Sequence, residues 1–387
     1  MQFPDDPVIG ALLAEALMDL HPWDFWTKEG KAQSWTPEIV ATLERVLDLN
    51  PNLPLGHHLY IHVMEASPHP EKALSTAARV PALVPGAGHL VHMPAHIYIR
   101  VGRCRDAVTA NQNAVNADQQ YLTHLHAKSL FTAAYVPHNY HFLWAAASKI
   151  WQRELALQAA QDTAATVSPE AMREPGFAGT FQHFWLMPLF TKAFFGQWEE
   201  ILQEPVPPAD LVYPVSIRHY ARGLAFLRQG KLDQANEELD SLKEITKDPA
   251  VADLTIFDLN AIPHILKIAH AVLAGEMAAE RKDYEAAITL LKQAIGLEDG
   301  LNYTEPKDWY LPPRQVLGAV LLQAGKPAEA EQVYQEDLHY HPQNGWSIFG
   351  LTKSLEVQNK LAEAKAVQEE FKGAWTDADV TLTSSRF

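Results

Sequence analysis

The chain is nearly devoid of cysteine: Cys104 stands alone among 387 residues. One thiol excludes an internal disulfide framework and any zinc site that needs two cysteines. Long apolar runs are missing as well. No stretch of about 18 apolar residues occurs, so no segment reads as a membrane-spanning helix. The opening Met1-Gln2-Phe3-Pro4-Asp5-Asp6 offers neither a basic region nor an apolar one, so no signal peptide is visible. Positive charge is scarce: 31 Lys and Arg face 47 Asp and Glu, a formal net charge of −16. That balance argues against a nucleic-acid backbone or an anionic membrane surface as the main partner. A Gly-rich phosphate loop, a Gly-x-Ser-x-Gly elbow and a dinucleotide fingerprint are all absent. These features predict a cytoplasmic protein and leave its oligomeric state open.

What the chain does have is internal repetition. At 387 residues it exceeds what one small core supports, so it must be multi-domain or a repeat array. The clearest unit runs from Gly318 and Leu321 through Gly325-Lys326-Pro327-Ala328-Glu329-Ala330 to Tyr334, Leu338 and Pro342. A helix, a turn at Gly325, a second helix packed through a small residue, and a closing proline resemble the tetratricopeptide repeat. With Ala330 as anchor, the next unit places Ala364 at 364 − 330 = 34. Upstream anchors are Ala287, Ala235, Ile201, Ala156, Ala107, Ala73 and Ile39. The steps 73 − 39, 107 − 73 and 235 − 201 are again 34. The remaining steps are longer, which implies insertions that solenoids usually gather on one face. The expected fold is therefore all-α, a right-handed α-solenoid of about nine helix–turn–helix units.

The resemblance extends to Pro85-Gly86-Ala87-Gly88-His89-Leu90-Val91-His92-Met93-Pro94, Pro137-His138-Asn139-Tyr140-His141-Phe142-Leu143 and Asn344-Gly345-Trp346-Ser347. These segments resemble a bacterial family of histidine-rich tetratricopeptide proteins without an assigned reaction. That resemblance implies further repeats ahead of residue 1. The least repeat-like stretch, 167–179, is the expected hinge between N-terminal repeats 1–166 and C-terminal repeats 180–387.

Histidines supply the chemistry. His58, His92 and His141 each precede their anchor by 15 residues, and His62 and His96 precede theirs by 11. Residues four apart share one helical face, and equivalent faces of stacked repeats point the same way. Neighbouring helices pack about 8–10 Å apart, a gap that two imidazoles reaching for one ion can span. The tetratricopeptide resemblance implies that these positions line the concave groove. The expectation is a site for a divalent transition metal (zinc, copper or iron) on His58, His62, His92 and His96. His141 is the expected fifth ligand and Glu65 the carboxylate. His138, Asn139 and Tyr98 are expected around it. An open coordination position would suit a metalloenzyme acting on a small molecule.

The other reading is a non-catalytic scaffold that binds a peptide in the groove, its histidines meeting carboxylates or backbone. Pro94 either kinks a helix between His92 and His96 or starts one. Tyr60, Arg100 and Tyr135 are weaker candidates. Cys104 occupies a packing position and is expected to be a buried structural thiol. His183, His219, His264 and His270 break the offsets and are expected to be ordinary. The insertions 122–136 and 302–310, and the aromatic loop His21-Pro22-Trp23-Asp24-Phe25-Trp26, are expected to wall the groove.

Overall fold

The computed structural model describes residues 5–125, 130–376 and 378–386. The protein is all-α. Among the described residues, strand pairing amounts to a two-residue antiparallel ladder, Thr255–Ile256 with Asn260–Ala261, and a bridge between Trp26 and Ala32. No described helix is long and apolar enough to cross a membrane. The chain divides into two compact units, Met1–Ala146 with Tyr303–Pro306, and Ala147–Asn302 with Lys307–Phe387. The stretch 167–179 lies inside the second unit, where Ala171–Arg173 forms a 3-10 turn. Its service as a hinge is a proposal about motion.

Seven of the repeats are built by one device. A first helix ends on a residue with positive φ, and a second helix starts two residues later. Such residues are Gly102, Trp151, Gly196, Gly230, Lys282, Gly325 and Asn359. They precede the helices that start at Cys104, Arg153, Trp198, Leu232, Tyr284, Pro327 and Leu361. The left-handed conformation turns the chain so that the next amide reaches a carbonyl of the helix just ended. Arg103 N donates to Tyr98 O at 2.7 Å, Lys231 N to Phe226 O at 2.9 Å and Lys326 N to Leu321 O at 2.9 Å. The anchor is then the fourth residue of the second helix. Ala107, Ala156, Ile201, Ala235, Ala287 and Ala330 are fully buried, and Ala364 nearly so. Ala73 is buried too, at the end of the Pro70–Ala73 turn that leads into Leu74–Leu83.

Close packing explains the small residues. In the second unit the Tyr334 ring lies so near Gly318 and Gly350 that added Cβ atoms would stand 2.3 and 2.2 Å from it. No larger residue fits at either place. The long steps between anchors also have physical forms. Extended helices, Cys104–Leu125 and Leu130–Lys149, fill the first; a loop with the short ladder fills the step before Ala287.

In the first unit, Pro54–Glu65 carries His58 and His62. The next first helix is broken at Met93 into Gly88–His92 and Pro94–Arg100. Helix therefore exists on both sides of Pro94, which begins the later segment, so the kink is the form observed. Gly88 is required here: a Cβ would stand 2.0 Å from Asp118 Oδ1.

Candidate metal centre

Five imidazoles of the first unit close into a ring. Ring centroids are 4.7 Å apart for His58–His62, 5.0 Å for His62–His96 and 4.8 Å for His96–His92. The circuit returns through His92–His89 and His89–His58, both 5.1 Å. His138 leans on it, 4.7 Å from His92 and 5.9 Å from His96. His92 and His96 are fully buried, whereas His58, His62, His89 and His138 retain partial exposure.

Nitrogens rather than ring edges face one another. His58 Nε2 stands 3.1 Å from both His62 Nε2 and His89 Nε2, and His92 Nε2 stands 3.3 Å from His96 Nε2. Two ligands on a tetrahedral ion with bonds of about 2.0–2.1 Å lie about 3.3 Å apart. Potential donor atoms lie within 4.8 Å of one another in three groups: His58, His62 and His89; His89, His92 and His138; His62, Glu65 and His96.

Glu65 decides which nitrogens are free. Its Oε1 accepts from His62 Nδ1 at 2.9 Å and its Oε2 from His96 Nδ1 at 2.5 Å. A neutral imidazole has one N–H, so a proton on Nδ1 leaves a lone pair on Nε2. Both Nε2 atoms aim into the ring. Glu65 itself is fully buried. Burial opposes its charge, yet His96 and His62 outweigh burial and hold the carboxyl at about 2. Arg100 donates from Nε to the Glu65 carbonyl at 2.8 Å and lies 5.8 Å over the Tyr303 ring.

His58, His62, His89, His92 and His138 resist protonation. Burial, reinforced by neighbouring histidines, lowers His58 and His138 to about 3 and takes His89 and His92 well below the usual value. Burial also lowers His62, against the pull of Glu65. Neutral imidazole is the form that binds metal.

Sequence and structure agree on some placements and differ on others. His58, His62, His92, His96 and Glu65 come together. The four histidines lie round a ring and do not aim at a single common point. Glu65 receives Nδ1–H groups and so stands behind the Nε2 atoms. His138, expected at the periphery, is part of the group. His141 is not: it is buried in a stack with Trp144 at 5.2 Å, and it belongs to none of the three groups. Asn139 donates to Asp118 Oδ2 at 2.7 Å, fastening this helix to Cys104–Leu125. Burial raises Asp118 to about 6 against that bond. Tyr98 packs on the hydrophobic core with Arg103 4.6 Å above its ring. Tyr60 turns its hydroxyl to Glu44 at 3.2 Å. Cys104 is buried at the start of its helix.

His89 was missed by the offsets of 15 and 11. It sits 18 residues before Ala107, as His138 sits 18 before Ala156. That shared offset is the signal that finds both. Among the expected walls, Tyr135 lies 4.3 Å from His89 and Trp23 lies edge-on to His62 at 5.1 Å. Residues 126–129 of the first insertion fall outside the described residues.

No protein-family model matches the chain, and no curated protein matches it. Among solved structures, a human IFIT1 dimer with m7Gppp-AAAA is similar at 11% identity and a TM-score of 0.40, over 96% of this chain and 73% of that one. The apo quorum sensor NprR from B. thuringiensis has 11% identity and a TM-score of 0.39, over 94% and 97%. Yeast Tom70 has 13% identity and a TM-score of 0.29, over 94% and 92%.

Proposed function

We propose that this helical-repeat protein carries a transition-metal centre on the histidines of its first unit. Zinc, copper and iron all suit imidazole donors. The observation that carries the reading is the trio His58, His62 and His89, whose Nε2 atoms meet at 3.1 Å contacts. Glu65 fixes the His62 tautomer from behind, an arrangement typical of metal-binding histidines. Three protein ligands leave a position for water or a small molecule, as hydrolytic and oxidative metal centres require. Trp23 and Tyr135 frame that side.

Elemental analysis of protein purified without a histidine tag tests the reading. The expected result is at least one zinc, copper or iron per chain, with His62→Ala lowering affinity roughly 10–100-fold or more. A chain that holds no metal, and takes up none after exposure to each ion, overturns it.

A peptide-binding role is favoured by one observation in the second unit. There a non-helical segment, residues 378–386, is held by the repeats. Arg386 pairs with buried Glu276 and donates to Gln323 at 2.8 Å, while Ser385 Oγ meets Tyr334 Oη at 2.5 Å. On this reading a labelled peptide of sequence 378–386 binds the Arg386→Ala chain more tightly than the unaltered one. Equal or absent binding by both contradicts it.

A further inference from the structure

We infer that the histidine ring holds two metal ions in two seats that are copies of each other one repeat apart. This rests on the metal reading above and deepens it. The first seat uses offsets 15 and 11 before Ala73, His58 and His62, plus offset 18 before Ala107, His89. Advancing each by one repeat gives offsets 15 and 11 before Ala107, His92 and His96, plus offset 18 before Ala156, His138. The ring spacings repeat with the numbering; the donor atoms within 4.8 Å of one another are those of His58, His62 and His89 at the first seat and His89, His92 and His138 at the second, where His96 Nε2 stands 3.3 Å from His92 Nε2. Within a helix the ring pairs are 4.7 Å apart for His58–His62 and 4.8 Å for His92–His96. Across to the next repeat they are 5.1 Å for His58–His89 and 4.7 Å for His92–His138. Stacked repeats are related by a nearly constant rotation, so one seat generates the other.

Donor supply points the same way. One tetrahedral ion takes four ligands, and six imidazoles are present. With a single ion, His92 and His96 would be left fully buried with their Nε2 atoms 3.3 Å apart. His92 Nδ1 has no hydrogen-bond partner, so its ring has little else to do. A buried ring nitrogen without a partner is costly.

Glu65 serves both seats. One carboxylate oxygen takes the Nδ1–H of His62, the other that of His96, and so each seat has one orienting bond from the same side chain. Glu65 is a positioning residue here, not a ligand. The series stops after two: one repeat further on, the offset-11 place before Ala156 is Ala145.

The test is titration of the metal-stripped full chain with cobalt(II), reading the visible spectrum and the metal retained after desalting. Two ions per chain are expected. His138→Ala, at a partly exposed place, and His92→Ala should each reduce this to one while leaving the first seat filled. His58→Ala and His89→Ala should also leave one ion, in the other seat. Glu65→Gln should weaken both seats, by roughly 10–100-fold. Far-ultraviolet circular dichroism confirms that each variant keeps its helices. One ion per chain, indifferent to His138→Ala and His92→Ala, overturns the two-seat inference and leaves the single centre standing. No ion bound removes the metal reading itself.

Discussion

Histidines are buried in both units, and they are arranged in opposite ways. In the second unit four of them each have their own partner. His183 Nδ1 meets Tyr213 Oη at 2.9 Å, His219 Nδ1 meets Glu238 at 2.5 Å, His341 Nδ1 meets Asp337 at 2.8 Å, and His264 Nε2 meets the Leu297 carbonyl at 2.8 Å. Every one of these bonds satisfies a ring nitrogen locally. In the first unit the rings face one another, and two of them share a single carboxylate. Each such contact joins one imidazole to another, so at most one N–H serves two ring nitrogens. The comparison separates buried histidines that are satisfied locally from those that face one another, the arrangement on which the proposed metal centre rests.

The sharpest way to break that contrast is to exchange the outcomes of two alanine substitutions. His62→Ala should lower metal affinity by roughly tenfold or more, because it removes a donor and the Glu65 clamp together. His183→Ala should leave metal content unchanged and cost only stability, through its bond to Tyr213. Equal metal loss in both variants would erase the distinction between the units.

Acid should separate the units next. Folded His58 and His138 titrate near 3, below an unfolded imidazole near 6.5. Between those values the unfolded chain binds more protons, so the stability present above about pH 6.5 falls as pH drops toward 3. His183 and His341, at about 3 and about 4, impose the same sign on the second unit. The metal-free first unit, with more such rings in contact, should lose hydrogen-exchange protection at a higher pH than the second. Bound metal should move that point downward, because proton and ion compete for the same lone pairs. Protection lost first in the second unit would contradict this.

Packing gives smaller effects that sharpen the repeat reading itself. Ala330→Leu should destabilise the chain by about 1–3 kcal/mol in denaturant titration, since it overfills the contact between two helices. Cys104→Ala should leave metal content unaltered, which elemental analysis reads directly.

The repeat was legible because a 34-residue step between small residues reports a packing constraint. The structure places each of those anchors at the fourth position of a second helix, or at the end of the turn before it. Part of the site was legible for the same reason. His58, His62, His92 and His96 sit at equal offsets, and equal offsets give equal faces. His89 escaped because it lies in a Gly-rich approach that reads as loop until Pro94. Its helical turn, Gly88–His92, forms against Asp118 through the glycine at 88. His141 was favoured over His138 because its offset of 15 matched, yet the intact Leu130–Lys149 helix turns it to Trp144. The part played by Glu65 could not be read at all. Sequence spacing places a carboxylate beside two imidazoles but does not say which ring nitrogen it meets.

X-ray absorption of the metal-loaded chain tests the central claim most directly, because it reads the donor atoms themselves. The account predicts nitrogen donors at about 2.0–2.1 Å with the outer-shell scattering of imidazole rings, and no carboxylate in the inner shell. Glu65→Gln should leave that donor set unaltered at saturating metal. An inner shell of oxygen alone, without imidazole scattering, would contradict the assignment of these histidines as a metal centre.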